Sequence, residues 1–173
     1  MARNNYLVNG VSGTGKTAVG VELRRRGYRV LDADTELAYF GDPVTLEPID
    51  EQTQRHWMWN EERTLGLLAD GHDAELFVCG GAVNEERFRH LFRVVFTLVV
   101  DDGTLWQRLT TRPDEGLCKD PDYLAAQLVL NQTEPAHART YGSTLVDASR
   151  PLAEVVDEIL AHVRGIGSNT DRS

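Results

Sequence analysis

Five short apolar runs recur along the chain: "YLVN" at 6–9, "YRVLDA" at 28–33, "ELFVCG" at 75–80, "RVVFTLVV" at 93–100 and "STLVDA" at 143–148. Runs of this length suit strands buried on both faces. The longer segments between them supply helices, and such alternation predicts an α/β domain with an open parallel sheet covered on both sides. The first helix is expected from about Gly15 and closes with Arg24, Arg25 and Arg26 before Gly27. Cations in a last turn followed by glycine suit a helix carboxyl terminus, so the arginine run is assigned to that end rather than to an anion site.

Two stretches interrupt the alternation. Residues 35–54, "TELAYFGDPVTLEPIDEQTQ", hold two prolines and many acidic or amide side chains, and lead into a long helix expected to reach about Leu68. At ~100° per residue, Trp57, Met58, Leu65 and Leu68 share one face of that helix, with Arg55, Trp59 and Arg63 as a stripe on the other. Such a stripe stacks a ring and holds an anion, or is a surface tryptophan between solvated charges. The second stretch, 112–122, is "RPDEGLCKDPD". Insertions after strand ends rim the carboxyl edge of a parallel sheet, so 35–70 is expected to bind an acceptor and 112–122 to form a lid.

The 173 residues make one core and one domain, expected over 1–165, with 166–173 a flexible tail. Twenty-seven acidic against 18 basic residues give a net charge of -9, which disfavours a nucleic acid polymer or an acidic membrane as partner. Cys79 and Cys118 have no metal-ligand spacing, and Cys79 reads as a small buried apolar residue at a strand end. No run approaches the ~20 apolar residues of a membrane span, and the expectation is a soluble cytoplasmic protein.

One motif changes the picture. "GVSGTGKT", Gly10 to Thr17, fits G-x-x-x-x-G-K-[ST] at every fixed position, after an apolar strand and at the head of a helix. The glycines let the amides of Ser12, Gly13, Thr14 and Gly15 converge on phosphates, Lys16 reaches the β- and γ-phosphates, and the Thr17 hydroxyl is placed for Mg²⁺. The positive end of the helix dipole adds to the site. ATP or GTP with magnesium is the expected ligand.

Other motifs say what is done with the phosphate. In "LDAD", Asp32 and Asp34 lie on one face of an extended segment; one orders magnesium, the other orients or deprotonates an attacking hydroxyl. A helix cap is the competing role for Asp34. In "CGGA", Gly80 and Gly81 allow close approach of another group to the backbone, or form a tight turn. Arg108 and Arg112, four apart, project from one helical face and suit charge stabilisation of a transferring phosphoryl group, against the alternative of a solvated basic face.

Together "GVSGTGKT", "RLTTR" before a lid and "VDASRPLAEVVDEIL" resemble the P-loop small-molecule and nucleoside monophosphate kinases, the group of adenylate, shikimate and gluconate kinases. "LDAD" and "CGGA" are closer to shikimate kinase, and "HWMWNEE" with "LFVCGGAVNEERF" resembles uncharacterised bacterial nucleoside-kinase-like proteins. The resemblance implies a three-layer P-loop fold, a five-stranded parallel sheet in order 2-3-1-4-5, and phosphoryl transfer from ATP. It also places Arg108 by the adenine or phosphates, Arg112 on the phosphates, and the Ala148–Pro151 turn, with Arg150 and Pro151, beside the adenine. Cys79 stands where adenylate kinases carry an aspartate, moving magnesium toward Asp32. The small-molecule acceptor, a nucleoside or nucleotide by preference, falls to Asp34, Arg55, Trp59, Gly80 and Gly81. The alternative is a nucleotide-binding switch or accessory ATPase.

Overall fold

The computed structural model describes residues 4–69, 75–113 and 120–170. All five apolar runs are strands: β1 (Asn5–Asn9), β2 (Arg29–Asp32), β5 (Leu76–Cys79), β6 (Val94–Val99) and β7 (Thr144–Asp147). They pair in parallel as β2-β5-β1-β6-β7, which is 2-3-1-4-5 when only the central strands are counted. A short antiparallel pair, β3 (Ala38–Phe40) with β4 (Trp57–Trp59), stands apart from this sheet. The helices are α1 (Lys16–Arg25), α2 (Ala33–Glu36), α3 (Glu61–Ala69), α4 (Asp102–Thr110), α5 (Pro121–Thr140) and α6 (Leu152–Thr170).

Successive strand residues point to opposite faces, and each face gathers its own core. On one, Tyr6, Val8, Phe77, Phe96 and Leu98 pack with Val19 and Leu23 of α1 and with Val155, Val156 and Ile159 of α6. On the other, Leu7, Leu31, Val78 and Val95 pack with Trp59, Leu68 and Phe88. Both faces of β1 are thus covered, and its five residues are all buried. That explains a strand that reads as a continuous apolar run.

Helix α1 ends as its sequence predicts. Gly27 takes φ +90°, Gly27 N–H donates to Arg24 O and Tyr28 N–H to Leu23 O, closing the last turn. Arg25 and Arg26 both bind Glu22, and Arg26 reaches Asp157 and the Ala153 carbonyl of α6. Arg26 therefore ties the end of α1 to α6.

The segment before Leu68 differs from expectation. A single helix from about residue 55 is replaced by a 3-10 turn at Gln54–His56, strand β4 and then α3. Asn60 supplies the reason: its Oδ1 accepts from Arg63 N–H at 2.9 Å, so the helix starts after it, with Glu61 and Glu62 in the first turn. The Asn84 side chain fixes the strand, accepting from Trp59 N–H and donating to Trp59 O, both at 2.9 Å. The expected stripe of Arg55, Trp59 and Arg63 therefore does not form. At the other end α6 runs on to Thr170, past the boundary expected at 165.

Candidate active site

The phosphate loop joins β1 to α1 at the carboxyl edge of the sheet, where the chain leaving β1 runs toward the β2 edge and that leaving the adjacent β6 runs toward the β7 edge. Its turn depends on glycine. Gly10 takes φ +141°, and a Cβ there would meet Leu98 O at 2.7 Å and Thr14 Oγ1 at 2.8 Å. Thr14 Oγ1 donates to Val11 O at 2.9 Å, and Lys16 Nζ donates to Gly10 O at 2.7 Å and Val11 O at 3.0 Å. Lys16 is thus held inside its own loop. Burial pulls its pKa below the usual lysine range, Asp34 opposes that shift, and the Arg112 guanidinium reinforces it. Thr17, in the first turn of α1, is exposed.

Arg108 and Arg112 line a cleft of about 460 Å³ with Gly13, Ala148, Arg150 and Leu152. The Arg108 guanidinium donates to Thr14 O at 3.1 Å and to Ala148 O at 2.8 Å, joining the phosphate loop to the turn after β7. Arg112 lies beyond the end of α4, so the two arginines share a cleft rather than one helical face. Arg150 also pairs with Glu158 and donates to Asp147 O, while the carbonyl of Pro151 accepts from Glu154 N–H at the start of α6.

The paired aspartates have separate local roles. Asp32, not Asp34, is the cap: its Oδ1 accepts from Asp34 N–H at 3.1 Å and Thr35 N–H at 3.3 Å, starting α2. The Asp34 carboxylate does no capping, and its Oδ1 accepts from Trp57 Nε1 at 3.4 Å. Gly80 lies against it. With φ +148°, Gly80 has room for no side chain, since a Cβ would stand 2.7 Å from Ala33 Cβ and 3.1 Å from Asp34 Oδ1. On the far side, Glu85 Oε2 is 3.6 Å from where a Cβ on Gly81 would be. The two glycines thus separate a pair of carboxyl groups, and both of these act electrostatically on Lys16.

Trp59 does not reach the cleft. It is fully buried, 6.0 Å from the Phe88 ring, and among the described residues its Nε1 has no hydrogen-bond partner. Trp57 takes the place by Asp34 instead, half-buried and edge-on to Phe40 at 4.9 Å. Arg55 is exposed on the 3-10 turn. Cys79 is buried as expected, and burial pushes its thiol up to about 12, so it is inert at neutral pH. Its Sγ packs against Gly20 of α1. Of the expected lid, residues 114–119, including Cys118 and Lys119, lie outside the described residues.

Sequence reasoning missed Glu85. In "AVNEERF" it reads as one more surface acid, yet it is 5% exposed. Asn9 Nδ2, at the end of β1, donates to it at 2.8 Å, and Arg89 Nε donates at 3.2 Å. Asn9 Oδ1 in turn accepts from Thr97 Oγ1 at 2.7 Å, so a buried polar network runs beneath the loop. Burial raises the Glu85 pKa above the ordinary carboxylate range. A raised folded-state pKa adds stability that is present below the unfolded value of about 4.3 and is lost as pH rises through the folded value. Glu85→Gln, neutral throughout, is therefore expected to match wild type near pH 4 and to gain in unfolding temperature relative to it by pH 7. Thermal unfolding at the two pH values checks this, and an unchanged difference between them contradicts it.

Among the described residues no three His, Cys, Asp or Glu side chains gather as a metal site, and no helix is long and apolar enough to cross a membrane. The family model for an AAA domain, AAA_18, matches residues 7–121. A shikimate kinase from Rhodopseudomonas palustris is 29% identical over 156 residues, covering 88% of this chain and 77% of that protein. In fold, the chain is similar to shikimate kinase from Acinetobacter baumannii in complex with shikimate, with a TM-score of 0.63, 20% identity and 93% of each chain covered. It is also similar to deoxyadenosine kinase from M. mycoides, with a TM-score of 0.56, 14% identity and 94% and 99% covered. A P-loop with its lysine held on the Gly10 and Val11 carbonyls sits on this shared fold, and the chain belongs to the AAA_18 family of AAA domains as a P-loop kinase of the small-molecule group.

Proposed function

We propose that the chain moves the γ-phosphoryl group of ATP to a hydroxyl or phosphate of a small molecule, with a nucleoside or nucleotide the preferred acceptor. The observation that carries this reading is the placement of Asp34 against Gly80, free of capping duty and within electrostatic reach of Lys16, which suits it to an attacking hydroxyl. The loop amides and Lys16 hold the β- and γ-phosphates, and Asp34 orients the hydroxyl and takes its proton. Arg108 and Arg112 balance charge on the nucleotide side, with Ala148 and Arg150 beside the base and Pro151 closing that turn. Gly80 and Gly81 let the acceptor approach the backbone, and the half-buried Trp57 offers it a ring face.

Magnesium fits this donor set in a particular way. Thr17 is exposed at the first turn of α1, whereas the Asp32 carboxylate already caps α2, so the phosphates and Thr17 would hold the ion and Asp32 would act on it at most through water. Bound with ATP, it supplies charge neutralisation of the phosphates. Two acidic groups flank the glycine turn, which favours an acceptor presenting hydroxyls over one presenting a carboxylate.

The test is release of ADP from Mg-ATP with and without nucleosides, nucleoside monophosphates, shikimate, gluconate and other small hydroxyl compounds. Stimulation by one compound class, lost when magnesium is withheld, is the expected result. Steady hydrolysis that ignores every addition would instead favour a switch or accessory ATPase.

A further inference from the structure

Gln127 of α5 is polar, 0% exposed and used at both ends of its amide. Ser12 N–H, one of the phosphate-loop amides, donates to Gln127 Oε1 at 3.2 Å. Gln127 Nε2 donates to Gln54 Oε1 at 2.6 Å. A backbone N–H only donates, so the atom facing Ser12 must be the carbonyl oxygen, which sets the orientation of both amides. Gln54 opens the 3-10 turn that runs straight into β4, and Trp57 at the head of β4 donates to Asp34. One buried amide therefore stands between the loop that receives phosphate and the strand that touches the acceptor-side carboxylate.

A phosphate oxygen accepts hydrogen bonds and donates none. Brought to the Ser12 N–H, it faces the Gln127 carbonyl oxygen, and two acceptors then compete for a single proton. Rotation of the Gln127 amide by about 180° removes the conflict, presenting Nε2 to the phosphate and Oε1 to Gln54. Gln54, also a primary amide, completes the exchange by turning its own Nε2 inward. Two facing primary amides have two complete hydrogen-bond arrangements; a carboxylate in either place has only one.

We propose that Gln127 is a positioning residue whose amide reverses when the phosphate loop is loaded, and that Gln54 passes this reversal to β4 and so to Trp57 and Asp34. The proposal rests on the phosphotransferase reading above and adds to it a link between nucleotide binding and the acceptor side. It explains why a buried polar side chain on α5 is satisfied by two elements remote in sequence, at separations of 115 and 73 residues.

The experiment measures Mg-ATP affinity by calorimetry and tryptophan emission on ATP addition, in a Trp106→Phe background that removes the half-exposed indole of α4. Gln54→Glu accepts from Gln127 in the empty arrangement but has no donor for the loaded one, so Mg-ATP affinity should fall roughly tenfold. Gln54 is exposed, so this variant carries little folding burden. Gln127→Glu should lose affinity at least as much, and where its buried charge prevents folding, Gln54→Glu decides alone. Gln54→Ala frees Gln127 to rotate: affinity should stay within about threefold of wild type, while the emission change that depends on Trp57 disappears. Wild-type affinity in Gln54→Glu, or an intact emission response in Gln54→Ala, overturns the proposal. Failure of the parent protein to bind Mg-ATP would overturn the phosphotransferase reading itself, a different and separable result.

Discussion

Lys16→Ala is expected to lower phosphoryl transfer by about a thousandfold or more while leaving the fold intact. The size follows from what Lys16 would do in the loaded loop, where a cation on the β- and γ-phosphates stabilises charge that grows as the bond to the leaving group breaks. The intact fold follows from what it does in the empty one. Its ammonium is spent on the carbonyls of Gly10 and Val11, and its lowered pKa says that burial of the charge is a cost that these contacts and Asp34 do not fully offset. The variant should therefore unfold at or slightly above the wild-type temperature. Turnover of ADP from Mg-ATP together with a thermal melt reads both halves, and near-normal turnover in a folded variant would remove the phosphate loop from the mechanism.

Asp34→Asn carries the second large effect and tests the acceptor side. Asparagine keeps the size of the side chain and its acceptor for Trp57 Nε1, and adds no bulk against Gly80. What it loses is the capacity to take a proton and the negative charge beside Lys16. If Asp34 acts as a general base, kcat should fall by roughly 10²- to 10⁴-fold. Mg-ATP binding should change far less, because in the proposed site the phosphates would meet the loop and Lys16 rather than this carboxylate. A variant with normal kcat and only a raised KM would make Asp34 a binding group. Asp32→Asn is the natural companion, since asparagine also caps helices well and should leave turnover close to wild type.

The parts of this site that were legible in the sequence are those built from neighbours in the chain. The phosphate loop is eight consecutive residues with a strand before it and a helix after it, and each glycine answers to a local backbone requirement. The five strands were equally plain as short apolar runs, most of all β1, β5 and β6, which are covered on both faces, whereas the edge strands β2 and β7 are only partly buried. The β4 segment was misread for a definite reason. "RHWMWNEER" satisfies a helical period as well as a strand, and the deciding contacts come from Asn84, which is remote in sequence. The one local clue was Asn60 followed by two glutamates, a helix start placed after the tryptophans.

That misreading exchanged the two indoles. Trp59, expected on a binding stripe, is in the core, and Trp57, expected in the core, is beside Asp34. A strand puts residues two apart on one face, so the strand period alone does not separate the two indoles; Trp59 packs by Phe88 in the core, whereas Trp57 lies by Phe40 and Asp34. Glu85 and Gln127 were out of reach for another reason. Their partners are 76 and 115 residues away, and nothing in "NEERF" or "LAAQLVL" distinguishes a buried polar side chain from a solvated one.

The Arg108 guanidinium has a consequence for how this protein can change. Because one side chain grips both Thr14 and Ala148, the phosphate loop and the turn proposed to lie beside the base form a single frame of set span. Substitutions in the 148–151 turn that alter the preferred base would shift the Thr14 carbonyl with it, so base preference and triphosphate affinity should vary together across mutants. A library selected for a new nucleotide donor would then have to vary position 108 together with the turn.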